Sequence, residues 1–334
     1  MDIQRLEIAR LFHRAGFGPK PGEFAEALRA GVASTRSKIL SPPTTVSFVT
    51  PPVLTDLGPR PEPNSPDVVG FSQQMRYQNQ LLFLWWLDEM VTSPHTLQEK
   101  MTWFWHGHWA TSIGKVNYAL PMLNQNVTMR KYALGNFTEF AKAMFSDGAL
   151  QVWLDGQENT VKAPNENFSR EMMELFVLGV NRYTETDVKE LARAFTGYQV
   201  PRSTGVITYN ARRRDTSSVT VLGKTGVMSP EEVIAHLVAQ NNSALFIAER
   251  IWYRFVSSQE PLPQDHPMIK AFADRDTYAL MKSLIESSAL SQEQYSMVKS
   301  PVEWFIGLCR ALSITPSKLP SPTKLYGYLE KLSQ

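Results

Sequence analysis

The chain has a single cysteine, Cys309, among its 334 residues. No intrachain disulfide can form, and no paired-cysteine zinc, redox or haem-attachment motif exists. An excess of one charge is also missing, since 34 Lys and Arg face 32 Asp and Glu for a net charge of +2. That balance removes the electrostatic reason to expect nucleic acid or an anionic membrane as a partner. Long apolar runs are absent too. The most apolar stretch, Leu81–Leu87, is far shorter than the roughly 20 residues a membrane-spanning helix needs. Met1–Glu7 lacks the charged-then-apolar pattern of a secretory signal and reads as the start of an amphipathic helix. With no export signal visible, cytoplasmic placement is the default expectation. The sequence holds no GxSxG elbow, no HExxH, no heptad array and no internal repeat. The glycines of Gly16-Phe17-Gly18 follow a helix instead of opening one after a strand, so they are not a dinucleotide fingerprint.

What is present is the composition of an ordinary globular protein, 43% hydrophobic and 20% charged, on a chain long enough to bury a large core. Helix punctuation is frequent. Pro21 is expected to open a helix through Phe24 and Leu28 that Gly31 closes. Ser229-Pro230 and Ser300-Pro301 each place an N-cap hydroxyl before a first-turn proline, and Glu232 and Glu303 complete capping boxes. Ser321-Pro322 repeats the first half of that device. Thr184 with Asp187 serves the same purpose before the stripe Val188, Leu191, Ala192 and Phe195, which Gly197 ends. The expected fold is mainly α, a multi-helix globular array in one large domain spanning residues 1–334. Cys309, in the apolar helix that Pro301 opens, is expected to be a buried small hydrophobe.

Two stretches interrupt the helices. Residues 41–67 contain Pro42, Pro43, Pro51, Pro52, Pro59, Pro61, Pro63 and Pro66, which predicts an extended surface loop. Residues 198–226 contain Val206–Tyr209 and Ser218–Leu222, whose β-branched content and flanking glycines predict a small antiparallel β-hairpin insertion. Arg212-Arg213-Arg214, followed at once by Asp215, reads as a solvated loop.

Four segments hold the chemistry. In the first, Asn165 caps a helix on which Asn167, Glu171 and Glu174 share one face, while Arg170 can pair with Glu166 or Glu174. Two carboxylates one turn apart suit a divalent cation, or an acid and a base if burial separates their pKa values. Surface ion pairs on a capped helix explain the same residues without chemistry. In the second, Trp103–Trp109, His106 and His108 lie at i, i+2 and share a metal only if the helix breaks at Gly107. The plain alternative is a pair of satisfied core histidines. In the third, His13 and Arg14 end the first helix, where they complement its dipole and where an anion-binding role is the less economical account. In the fourth, Asp155-Gly156 is first a turn and second a ligand-bearing carboxylate.

Together these segments resemble one bacterial family, Domain of Unknown Function 1800. The likeness is carried by Leu11–Gly18, Glu99–His108, Ala133–Phe137, Asn165–Phe176, Tyr183–Val188, Ala192–Gly197 and Lys299–Glu303, in that order. The resemblance carries over no catalytic residue. It implies relatives that are often exported and often encoded beside a sulfatase- or phosphatase-like protein, hence work on envelope or secreted material. Two departures from the family pattern stand out. Arg214-Asp215 and Val219 stand where relatives have a His-Asp pair and a lysine, and the chain is expected to be short at its C-terminus, near Leu332–Gln334. The leading expectation is a joint polar site. Glu171, Glu174 and Arg170 would be catalytic, His13, Arg14, Asn165, Asn167 and Asp155 would bind ligand, and His106 and His108 would hold a divalent metal. Such a site would hydrolyse or bind an anionic or sugar-like molecule. The alternative is a non-enzymatic one, in which the polar residues fix helix packing and the protein binds or scaffolds its neighbour's product.

Overall fold

Caps and breakers divide the chain largely where the punctuation predicts, and the computed structural model describes residues 3–43, 47–292 and 294–331. Three short helices open it: α1 (Ile3–Arg14), α2 (Glu23–Ala30) and α3 (Val32–Ile39). The long α4 (Val68–Thr92) leads to α5 (Thr96–Trp109), α6 (Ile113–Val116), α7 (Ala119–Tyr132), α8 (Phe137–Phe145) and α9 (Gly148–Trp153). Next, α10 (Glu166–Glu171) runs directly into a π-helical stretch, Met172–Val177, ahead of α11 (Glu185–Ala194). Beyond the strands come α12 (Pro230–Ala239), α13 (Asn241–Phe255), α14 (Pro267–Ala271), α15 (Thr277–Glu286), α16 (Pro301–Ala311) and α17 (Lys324–Lys331). Thr184, Ser229 and Ser300 make the expected capping boxes with Asp187, Glu232 and Glu303. Ser321-Pro322 does not, because α17 begins only at Lys324 after a turn held by backbone bonds. No helix among the described residues is long and apolar enough to cross a membrane.

The core forms around α5, which is buried on most sides. Trp105 and Trp109 are fully buried and pack on Phe137, Phe140 and Phe176 from α8 and the π-helical stretch. A helix enclosed this way must pair its polar groups internally. Glu99 takes a two-pronged contact from Arg130 of α7, at 2.5 and 3.1 Å, and Lys100 pairs with Glu303 of α16. A second cluster joins α4 to α16 and α17 through Leu87, Met90, Ile306, Cys309 and Leu329, so Cys309 is buried as expected.

The proline-rich segment is extended, and α4 ties it down. The buried Glu89 carboxylate accepts from the backbone N–H groups of Phe48 and Val49 at 2.7 and 2.6 Å, and the Trp85 indole donates to Val49 O at 2.9 Å. The strand region holds two hairpins instead of one. Here β1 (Tyr198–Gln199) pairs with β2 (Thr208–Tyr209), and β3 (Val219–Val221) with β4 (Lys224–Gly226), all antiparallel. The β3–β4 turn uses Leu222 and Gly223, both at positive φ. Leucine there is costly, and the Asp187 carboxylate holds it by accepting from Leu222 N at 2.7 Å. Arg213 and Arg214 also differ from the expected solvated loop. Arg213 donates to Gln157 O at 2.8 Å, and Arg214 donates to Ala194 O and to Met228 O, so both tie loops together.

Candidate functional site

Asn165 caps α10 as its sequence position predicts, accepting from Asn167 N at 2.9 Å and Phe168 N at 3.4 Å. Its amide also donates to Leu154 O and Asp155 O at 3.1 and 2.8 Å, and its own N–H goes to Asn159 at 2.8 Å. The Asn165 side chain is therefore spent on the first turn of its own helix and on the backbone of the preceding loop. Asp155, at positive φ, faces Lys115 at 2.8 Å instead of the helix face. Arg170 makes its close pair with Glu185 of α11, at 2.6 and 2.8 Å, and reaches Glu166 only at 3.7 Å. Glu174 accepts from the Tyr183 hydroxyl, and Asn167 is exposed. Burial and the neighbouring Glu174 push the Glu171 carboxyl above its ordinary range, so these two carboxylates do sense each other.

Gly107 does not break α5, and the two histidines part. His108 lies in the core, 3% exposed, ringed by Phe104, Trp105, Trp109 and Phe176. Its Nε2 is 2.9 Å from Phe176 O, so the Nε2–H donates and Nδ1 is left as a bare acceptor, without a partner among the described residues. Burial lowers its pKa to about 3, which keeps the ring neutral. The carbonyl it receives belongs to the π-helical stretch after the Asn165 helix, so these two segments do meet, through structure and not through a shared ligand. His106 points elsewhere, edge-on to Trp86 of α4 at 4.9 Å, and burial lowers it to about 4. Among the described residues no group of three His, Cys, Asp or Glu side chains could hold a metal ion.

His13 and Arg14 belong to a third place. Arg14 donates to Val256 O at 3.0 Å and to Tyr295 O. Lys299 donates to His13 Nδ1 at 3.0 Å, and burial together with Lys299 and Lys100 lowers His13 to about 4. Lys100 is 1% exposed, pairs with Glu303 and lies over the rings of Phe17 and Trp103 at 5.0 and 5.1 Å. Gly18 keeps this cluster closed, since a Cβ on it would stand 2.9 Å from the His13 ring.

The feature that sequence reasoning missed is a cavity of about 440 Å³ between α4, α5, α16 and α17. Phe83, Trp86, Trp103 and Phe104 supply its aromatic wall, with His106 and Gly107 on one side and Arg254 of α13 on another. Its volume falls within the range of small-molecule pockets, and its wall is mostly apolar with a few polar groups. Gly107, exposed in the last turn of α5, lies on its rim. This glycine needs no positive φ, and a Cβ there would meet nothing within 4 Å. Alanine would fit the helix and would gain about 1 kcal/mol of helix propensity. What the missing side chain leaves is space at the cavity wall. The sequence signal was available in Leu81–Leu87, an apolar run whose Leu82, Phe83 and Trp86 line the cavity and stay half-buried.

A family model described as "Protein of unknown function (DUF1800)" matches residues 10–334, and the chain belongs to that family. No curated protein and no solved structure matches the chain.

Proposed function

We propose, with membership of that family as the premise, that the protein binds the apolar part of a small molecule in the cavity between α4, α5, α16 and α17. The single observation behind this is the cavity's lining, an aromatic wall of Phe83, Trp86, Trp103 and Phe104 that ends at the exposed Gly107 in the last turn of α5, where a Cβ would meet nothing within 4 Å. The neutral His106 offers one donor and one acceptor on an otherwise aromatic wall, which suits orienting a bound molecule. The Asn165 segment then serves as framework, with Asn165, Arg170 and His108 holding the π-helical stretch against α5 and α11.

The test is titration with the neutral fluorophore N-phenyl-1-naphthylamine. The wild-type protein is expected to bind it with strong enhancement of emission. Gly107→Leu, whose side chain enters open space, is expected to weaken binding at least tenfold while keeping or raising Tm. Equal binding by the two proteins would remove the cavity as the site.

A second function, binding of a protein partner encoded nearby, is favoured by one separate observation. Trp304, Leu308 and Leu312 form an exposed apolar stripe along the outer side of α16 and its end, at 59%, 39% and 59% exposure. Trp304→Glu is expected to abolish co-purification with such a partner and to leave fluorophore binding intact. Retained co-purification would count against it.

A further inference from the structure

The charges at the α13 end of the cavity are unbalanced. Arg254 lines the cavity, is exposed, and has no carboxylate within 4 Å among the described residues. Arg250 lies one turn before it on α13, and the two guanidinium groups repel. Behind the Trp103 wall sits Lys100, which feels both Lys299 and Arg254 as like charges. The carboxylate in this group, Glu303, is already committed to Lys100 and to the Ser300 N–H at 2.8 Å. His13 is neutral and accepts from Lys299, and the neighbouring Tyr253 lies under the Arg254 guanidinium. Among the described residues, Arg250, Arg254, Lys100 and Lys299 therefore gather around one spent carboxylate, in a protein whose total charge is only +2.

Like charges at this spacing destabilise a helix unless something compensates them. A planar guanidinium at the edge of an apolar, partly desolvated cavity is suited to a two-pronged contact with an oxyanion. We infer that the ligand is an amphiphilic anion, with its apolar body among Phe83, Trp86 and Trp103 and its oxyanion head, carboxylate or phosphate, at Arg254. This rests on the cavity being the binding site. A lone apolar molecule would leave the cationic end as unbalanced as before. A cationic amphiphile would worsen it.

Displacement of bound N-phenyl-1-naphthylamine by four twelve-carbon amphiphiles, each below its micelle threshold, tests the inference. Dodecanoate and dodecyl phosphate are expected to displace the probe at concentrations at least tenfold lower than dodecanol. Dodecyltrimethylammonium is expected to be the weakest, and the ratio of acid to alcohol should shrink as salt is raised. The order of the two acids separates a carboxylate head from a phosphate head. Arg254→Gln is expected to bring the acid-to-alcohol ratio to within threefold, and Arg254→Lys to keep part of it. Arg212→Gln, on the exposed loop before β3, should leave the ratio as in wild type. Equal displacement by dodecanol and dodecanoate, or an unchanged ratio in Arg254→Gln, would overturn the anion while leaving the cavity standing. Failure of the probe itself to bind would overturn the cavity and the anion together.

Discussion

His108→Gln isolates one buried charge that the folded protein refuses to carry. His108 is 3% exposed, and burial lowers its pKa from 6.5 to about 3. Below pH 6.5 the unfolded chain therefore binds a proton that the folded one does not. The sign follows from linkage: His108's contribution is fully present above pH 6.5 and is lost as pH falls toward 3. With those two values the loss between pH 7.5 and pH 5 is about 2 kcal/mol from this residue alone. Gln cannot be protonated, yet its Nε2 can still donate to Phe176 O, the one bond His108 makes. Loss of the ring should cost a roughly constant 1–3 kcal/mol at every pH. Urea unfolding followed by tryptophan fluorescence at pH 7.5, 6 and 5 reads both effects. The stability gap between wild type and variant is expected to narrow by about 2 kcal/mol from pH 7.5 to pH 5. His13 and His106 are also held low, each at about 4, but they are common to both proteins and cancel in the difference. A gap that stays constant with pH would refute a neutral, enclosed His108, and with it the π-helical stretch as its hydrogen-bond partner.

Other perturbations act on the framework. Glu99→Gln leaves Arg130 without its charge partner in the core and is expected to cost about 3–5 kcal/mol by urea unfolding, whereas replacing both residues by Leu and Met should recover most of that. Asn165→Ala removes a cap and two bonds to the 154–155 backbone, so a loss of about 2–3 kcal/mol is expected, with fluorophore affinity unchanged below the melting range. Gly148→Ala would place a Cβ 2.1 Å from Gly205 O, which forces backbone apart and should lower Tm by far more than Gly223→Ala, where φ is +77° but the space is open.

Caps and stripes were legible because they are local. Thr184, Ser229 and Ser300 act within one turn of themselves, so spacing alone located them. Pairing partners were less so. The strand segments 206–209 and 219–221 were recognisable, but each pairs with a different strand, the first with Tyr198–Gln199 and the second with Lys224–Gly226 across a turn at Leu222, whose N–H the distant Asp187 carboxylate holds. The Asn165 face was read with a 3.6-residue period, and that period fails at Met172, where the helix widens to the π form. Nothing in the residue types marks that change. Its support is tertiary, since His108 from α5 takes up the Phe176 carbonyl.

Gly107 shows most clearly what a sequence hides. A glycine between two histidines raises two physical questions: does the backbone bend, or is a side chain unwelcome? The first would bring His106 and His108 toward a common ligand. The structure removes it, because α5 continues to Trp109 with Gly107 at an ordinary helical φ. The second divides again, into a neighbour too close for a Cβ or a space kept empty. Gly148 and Gly18 answer with a neighbour, at 2.1 and 2.9 Å, whereas Gly107 has none within 4 Å. The cavity itself is closed by α4, the preceding helix, and by α16 and α17, which are far away in the chain. Once they are in place, His106 stops being half of a metal pair and becomes a polar group on the wall of an aromatic cavity. The same glycine that suggested a broken helix lies instead on the rim of the cavity proposed to take the ligand.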